Sequence, residues 1–186
     1  TLTVMISAGD TTGSITVATD EDKTNEPQET FEVNITDAET DTTNTTLTVT
    51  DAQGIGTIDD DDPVPTVSIN DVTVDEGDNA VFTVSLTNPS SEDITVTFTV
   101  DDATAVETDD YTEPATLTVT ISAGDTTGSI TVATVEDTTN EPQETFELNI
   151  TDAETDTTNT TLTVTDAQGI GTIDDDDPVP TVSIND

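Results

Sequence analysis

Apolar and polar residues alternate one by one along several short stretches of the chain. Val81–Thr87, Ile94–Val100 and Leu117–Ile121 follow this pattern, and so do Ser129–Val132 and Phe146–Ile150. Strict alternation with a period of two is typical of a β-strand that has one buried and one exposed face. Threonine fills most of the exposed positions, where a β-branched side chain suits the pleat. The pattern predicts an all-β protein built from short strands, with no helix.

The sequence repeats itself with a period of 115 residues. Residues 1–71 align without gaps with residues 116–186. The four positions that differ among these 71 are Met5/Thr120, Asp20/Val135, Lys23/Thr138 and Val33/Leu148. Near-identity of this kind indicates duplicated modules, and 115 residues is a normal length for a single β-sandwich domain.

An acidic segment followed by prolines separates the modules, because Asp59–Pro65 recurs as Asp174–Pro180. Proline cannot donate to a sheet ladder and an acidic run cannot enter a core, so this segment is interpreted as a linker. We therefore expect residues 1–62 to form the C-terminal part of one module, 63–65 a linker, 66–177 a complete module, and 178–186 a linker with the first strand of a next module. The simplest interpretation is a portion of a longer tandem array.

Seven strands are predicted in the complete module. Their expected spans are 66–74, 80–88, 94–100, 115–121, 128–134, 144–150 and 169–174. If antiparallel strands cross between the two sheets of a sandwich, successive connections alternate between its two ends. The first, third and fifth connections and the exit from the last strand are then expected at the same end.

Most acidic residues fall at that end. Of the 26 acids in residues 72–186, seventeen lie in these four segments and seven lie in the other connections. Two carboxylates about 4 Å apart repel each other by about 1 kcal/mol in water, and by several times more near a protein surface. A hard cation relieves this repulsion, and Ca²⁺ accepts about 6–8 oxygen ligands whereas Mg²⁺ keeps its waters. The alternatives are a solvated acidic linker and the solubility surface of a salt-adapted protein.

Composition excludes many other functions. The 186 residues include 42 Asp and Glu, one Lys, and no Arg, His or Cys, which gives a net charge of −41. Without His and Cys there is no imidazole base, no thiolate nucleophile and no Cys/His zinc site, so no enzyme is predicted. The same charge argues against binding to nucleic acid, and no apolar run is long enough for membrane insertion.

Several motifs of the complete module resemble the Calx-beta family. They are Val74–Gly77, Asp109–Tyr111, Glu136–Asp137, Glu141–Phe146 and Thr172–Asp176, and the tail half of the pattern recurs within residues 1–62. The resemblance implies an immunoglobulin-like seven-stranded antiparallel β-sandwich that binds Ca²⁺. Members of this family occur in sodium–calcium exchangers and, as long arrays, in bacterial surface and adhesion proteins.

The resemblance also implies a set of Ca²⁺ ligands. In the complete module they would be Glu76, Asp110, Glu136, Asp137, Glu141, Glu144, Asp174, Asp175 and Asp176. In the incomplete copy they would be Glu21, Asp22, Glu26, Glu29, Asp59, Asp60 and Asp61. The incomplete copy has no counterparts of Glu76 and Asp110, so we expect weaker binding there.

The sequence favours a calcium-binding structural extender, meaning a repeat that lengthens and stiffens a secreted or cell-surface protein such as a bacterial adhesin stalk or an extracellular fibre. Its partners would be neighbouring modules of the same chain, with self-association into fibres as a further option. Two alternatives stay open. One is a Ca²⁺-sensing regulatory module, as in the exchangers. The other is a self-assembling or adhesive filament subunit.

Overall fold

The structure, a computed structural model, describes residues 2–184 of the chain. These residues form twelve β-strands, and none of them forms a helix long and apolar enough to cross a membrane. The chain divides into two compact units, of which the first comprises Thr1–Asp22 and Gln28–Asp59 and the second comprises Lys23–Pro27 and Asp60–Asp186. The prediction of an all-β protein is confirmed.

The first unit contains one small antiparallel sheet. Its two strands are β1 (Glu29–Asn34) and β2 (Gln53–Ile58), and Glu29 lies opposite Ile58. No other strand is found among the described residues of this unit. Most of its side chains are exposed, so this unit buries little apolar surface.

The second unit is a sandwich of two five-stranded sheets. Its strands are β3 (Thr66–Ile69), β4 (Val72–Asp75), β5 (Asn79–Leu86), β6 (Ile94–Asp102), β7 (Tyr111–Thr112), β8 (Thr118–Ile121), β9 (Thr127–Thr134), β10 (Glu144–Thr155), β11 (Thr163–Asp166) and β12 (Gln168–Asp174). One sheet has the order β4-β12-β10-β6-β8, and the other has the order β11-β3-β5-β9-β7. The predicted β-sandwich is confirmed.

The core lies between the two sheets and consists of the apolar positions of the alternating strands. Phe82 on β5, Phe98 on β6 and Phe146 on β10 are all buried. The ring of Phe146 stacks on that of Tyr111 at 4.8 Å between centroids and meets the edge of Phe82 at 5.9 Å. Aromatic side chains bury more area than most other residues, so this cluster holds the two sheets together.

The first predicted strand, 66–74, is not continuous. It breaks at Asn70 and Asp71, so that β3 pairs with β5 in one sheet while β4 pairs with β12 in the other. At the break, side chains add hydrogen bonds to the neighbouring strands. Asn70 Oδ1 accepts from Thr83 N, and Asp71 Oδ1 accepts from Ile170 N. The expectation of purely antiparallel pairing also fails here, since β4 runs parallel to β12 and β11 runs parallel to β3.

Two further strands differ from their predicted spans. The strand predicted at 115–121 begins only at Thr118, because the backbone bends at Ala115 and again at Leu117. The strand predicted at 144–150 continues past an irregularity at Thr151 to Thr155. The chain then returns as β11 beside β3, so the long polar segment after residue 150 is part of the sandwich.

Candidate metal centre

Four connections meet at one end of the sandwich, as the alternation of connections predicts. Three hydrogen bonds tie them together. Glu76 N, in the turn after β4, donates to Asp174 O at 3.0 Å, and Val135 N, after β9, donates to Asp110 O at 2.9 Å. Asn140 Nδ2, in the β9–β10 loop, donates to Asp177 O at 3.1 Å.

The turn after β4 requires a glycine at its tip. Gly77 has a φ of 78°, in the left-handed region that favours glycine. A Cβ atom at this position would also lie 2.5 Å from Oε2 of Glu136. Gly77 therefore allows the Glu136 carboxylate to lie directly over the turn that carries Glu76.

The acids of these segments approach each other in three groups. Within each group, one carboxylate oxygen from each residue lies within 4.8 Å of the others. The groups are Glu76/Asp137/Asp177, Glu76/Glu136/Asp176 and Asp110/Glu141/Glu144. Because Glu76 belongs to two of them, the first two groups adjoin each other.

Three carboxylate oxygens in this region are buried without a hydrogen-bond partner. They are Oε1 of Glu76, Oδ1 of Asp175 and Oδ2 of Asp177. Buried polar atoms are nearly always paired, and an unpaired buried carboxylate oxygen is costly. Bound cations would satisfy such atoms, so the region fits a metal site.

The pKa values of five of the clustered acids are raised. Burial, and then the nearby charge of Asp110, raise the pKa of Glu144 to about 7. Burial also raises the pKa of Glu76, and the charges of Asp137, Asp177 and Asp175 raise it further. The pKa values of Glu136, Glu141 and Asp177 are raised for the same reasons, burial first and neighbouring aspartates second. The cluster therefore holds more negative charge than its surroundings stabilise.

Two acids outside the cluster show the opposite behaviour. Hydrogen bonds from the backbone and hydroxyl of Thr158, at 3.1 Å each, lower the pKa of Glu92. The hydroxyl of Tyr111, which donates to Asp102 at 2.7 Å, lowers the pKa of Asp102. Protein donors stabilise these two carboxylates, whereas the clustered ones need positive charge from elsewhere.

The structure brings together most acids that the sequence singles out in the complete module. Seven of them belong to the three groups, namely Glu76, Asp110, Glu136, Asp137, Glu141, Glu144 and Asp176. Asp175 lines the same cleft, whereas Asp174 belongs to no group and accepts a hydrogen bond from Gln143 Nε2. Asp177 is a group member that sequence reasoning left out, although it continues the same acidic run.

The incomplete copy shows no comparable convergence. None of Glu21, Asp22, Glu26, Glu29, Asp59, Asp60 and Asp61 belongs to a group of three potential ligands within residues 2–184. What recurs there are the amide contacts, since Gln28 donates to Asp59 and Asn25 donates to Asp60. These match the contacts of Gln143 with Asp174 and of Asn140 with Asp175.

The side-chain ligands of the three groups are all carboxylates, and the chain has no His or Cys. Hard cations such as Ca²⁺ and Mg²⁺ prefer oxygen, whereas Zn²⁺ sites in proteins usually include nitrogen or sulfur ligands. Ca²⁺ tolerates many carboxylates in flexible geometry, while Mg²⁺ demands a strict octahedron and retains water. The ligand chemistry therefore fits Ca²⁺ best.

Comparison with known proteins agrees with this chemistry. The family model of the Calx-beta domain matches residues 2–62 and 58–177, which is nearly the whole chain in two tandem copies. No curated protein matches the sequence.

Two solved structures resemble part of this chain in fold. The apo-form CBD1 domain of Calx has 16% identity and a TM-score of 0.54, with 61% of this chain and 98% of that chain covered. The Calx CBD2 domain has 12% identity and a TM-score of 0.51, with 58% and 85% covered. The chain therefore belongs to the Calx-beta family, whose domains are β-sandwiches that bind Ca²⁺.

Proposed function

We propose that this chain is a calcium-binding structural extender within a long secreted or cell-surface protein. Ca²⁺ binds the clustered acids at the end of the complete module and stiffens the linker that leaves it. The ligands are Glu76, Asp110, Glu136, Asp137, Glu141, Glu144 and the linker acids Asp175, Asp176 and Asp177.

The observation that carries this proposal is the position of the linker acids. Asp176 and Asp177 each belong to a group with Glu76, and Asp175 has a buried oxygen without a partner. These residues are also the last ones before Pro178. A cation bound to them therefore fixes the start of the linker to the body of the module.

Without a cation, the same arrangement favours separation. The linker and the module both carry negative charge at their contact, and the only basic residue of the chain is Lys23. Release of the linker acids would relieve the repulsion and would also hydrate the three unpaired oxygens. The linker is thus stiff with Ca²⁺ and flexible without it.

The near-identity of the repeats supports an extender over a sensor. A sensor needs a few sites with tuned affinities, whereas a spacer works with interchangeable copies. Stability that depends on bound Ca²⁺ follows the free concentration by mass action. Such a protein would therefore fold best where calcium is plentiful, which supports a location outside the cell.

Backbone relaxation measured by NMR tests the stiffening directly. We expect the amides of Asp175–Asp177 to have order parameters near 0.85 in saturating Ca²⁺ and below about 0.6 in chelator. Amides of the core strand β5 serve as the control and should remain rigid in both conditions. Equal order at Asp175–Asp177 with and without Ca²⁺ would contradict the extender mechanism.

A further inference from the structure

The segment Lys23–Pro27 has an unusual place in the molecule. By sequence it belongs to the incomplete copy, where it corresponds to Thr138–Pro142 of the complete module. In the structure it is part of the second unit, apart from the residues on either side of it. It therefore contacts a module other than its own.

The contact is a short backbone pairing with the β5–β6 loop. Asn25 N donates to Pro89 O at 3.0 Å, and Ser91 N donates to Asn25 O at 3.0 Å, which forms a bridge between Asn25 and Ser90. Ser90 is itself buried, and its carbonyl accepts from Gly124 N at 2.8 Å. This hydrogen bond fixes the β5–β6 loop, so that its backbone groups are positioned to pair with Asn25.

The side chain of Asn25 joins this pairing to the linker. Its Nδ2 donates to Asp60 Oδ2 at 2.9 Å and to Asp62 O at 3.2 Å. The module that follows also binds the linker, because Asn88 Nδ2 donates to Pro63 O at 2.8 Å. Asn25 is therefore connected both to the acidic linker and to the loop of the module that follows the linker.

Asn140, the counterpart of Asn25, makes the equivalent side-chain contacts but not the backbone pairing. Its Nδ2 donates to Asp175 Oδ2 and to Asp177 O, as Asn25 does to Asp60 and Asp62. Asn140 is exposed where Asn25 is half-buried, and its backbone has no pairing partner in the described part of the chain. The surface at Asn25 is thus covered, whereas the equivalent surface at Asn140 is exposed.

We propose that Thr138–Pro142 is a docking site for a further copy of the same repeat. The partner's counterpart of Asn88–Ser91 pairs its backbone with Asn140, as Pro89 and Ser91 pair with Asn25. The sequence Asp59–Asp71 is repeated without change as Asp174–Asp186, so the linker has the same length and chemistry in both places. This inference goes beyond the proposed calcium role, because the pairing uses backbone groups and no carboxylate.

Amide hydrogen exchange followed by NMR tests the docking site. In this chain with Ca²⁺ present, we expect Asn25 and Ser91 to exchange at least about tenfold more slowly than Asn140. In a longer chain that continues the period with a second copy of residues 72–186, the Asn140 amide should slow to the rate of Asn25. An Asn140 amide that is already slow in the shorter chain, or that stays fast in the longer one, would overturn the proposal.

Matched variants separate the backbone pairing from general destabilisation. Asn25→Pro removes the donor to Pro89 and should accelerate exchange at Ser91 by about tenfold. Asn140→Pro makes the same change in the other copy and should leave Ser91 unchanged. If both variants leave Ser91 slow, the pairing is absent and the proposal fails.

The calcium role and the docking role fail in different ways. If Ca²⁺ does not bind but Asn25 and Asn140 still differ in exchange, only the calcium role is wrong. If Ca²⁺ binds but Asn25 and Asn140 exchange alike, only the docking role is wrong.

Discussion

Residues 116–177 and their copies in 1–62 have almost the same sequence and very different surroundings. Ile121 is 1% exposed and its counterpart Ile6 is 52% exposed. Val132 is fully buried, whereas its counterpart Val17 is 45% exposed. Residues 72–115, which include β4, β5 and β6, occur only once in the chain. Burial of these side chains therefore depends on strands that lie far away in sequence.

The pairing of strands within each copy depends much less on residues 72–115. β1 pairs with β2 in the same register as β10 with β12, so that Glu29 faces Ile58 just as Glu144 faces Ile173. The two strands of this pair come from the repeated part of the sequence. A nearly identical sequence thus specifies the ladder in both copies, while the core and the acidic cluster also need residues 72–115.

The largest expected difference between the copies concerns the central phenylalanine. Phe146 is fully buried between Phe82 and Tyr111, so Phe146→Ala should cost about 3–5 kcal/mol of unfolding free energy. Replacement of Phe31, its half-buried counterpart, by alanine should lower the unfolding free energy by less than about 1 kcal/mol. Denaturant unfolding in saturating Ca²⁺ measures both values. Equal losses would mean that the first unit has a core of its own.

A smaller difference is expected at the glycine that faces this ring. A Cβ atom at Gly171 would collide with the ring of Phe146, and one at Gly56 would collide with that of Phe31. Gly171→Ala should cost about 1–3 kcal/mol, because the buried ring cannot move aside. Gly56→Ala should be nearly neutral in the same unfolding experiment, since Phe31 can turn toward solvent. A large loss for Gly56→Ala would show that Phe31 is fixed.

The acidic cluster allows a third comparison. Glu144→Gln removes one charge from the group with Asp110 and Glu141, and should weaken Ca²⁺ binding about tenfold, or by about 1.4 kcal/mol. The same variant should be more stable than the parent in chelator, because it removes repulsion. Glu29→Gln is the matched control, and calorimetric Ca²⁺ titration should detect no change in the tight site. A weakened tight site in Glu29→Gln would place a ligand in the incomplete copy.

The smallest expected effect is the dependence of stability on pH. In the metal-free protein, raised pKa values mean that the folded state binds protons more tightly than the unfolded state. This stabilisation is complete below the ordinary value of 4.5 and is lost as the pH rises through about 7, the pKa of Glu144. With Ca²⁺ bound the trend reverses, because protons compete with the cation.

Thermal unfolding between pH 5 and pH 8 measures both trends. We expect the midpoint in chelator to fall as the pH rises, and the midpoint in moderate Ca²⁺ to rise. Glu92 and Asp102, whose pKa values are lowered, titrate below this range and do not contribute. Parallel curves in the two conditions would show that the cluster does not bind Ca²⁺.

Much of the fold follows from the alternation of residues, because strands with one buried face show it directly. The break at Asn70 and Asp71 does not, since the alternation continues on both sides of it. The extension of β10 and the strand β11 are also missed, because threonine and acidic residues occupy most of their positions. Only Ala153 and Leu162 mark the buried face there, which is too few for a period to be recognised.

The site could be predicted as a region more readily than as a set of atoms. Alternation of the connections places four acidic segments at one end, and the resemblance to the Calx-beta family selects residues within them. The acidic run Asp174–Asp177 offers no local signal of which carboxylates face the cluster. The structure turns Asp177 inward and directs Asp174 to Gln143.

Thermal unfolding of the chain in excess Ca²⁺, in chelator and in Mg²⁺ tests the central claim most directly. The claim is that the cluster around Glu76 binds Ca²⁺ and that this binding stabilises the complete module. We expect a large rise of the midpoint with Ca²⁺ alone, and little change with Mg²⁺. Identical midpoints in Ca²⁺ and in chelator would contradict the claim, and the charge would then serve only solubility.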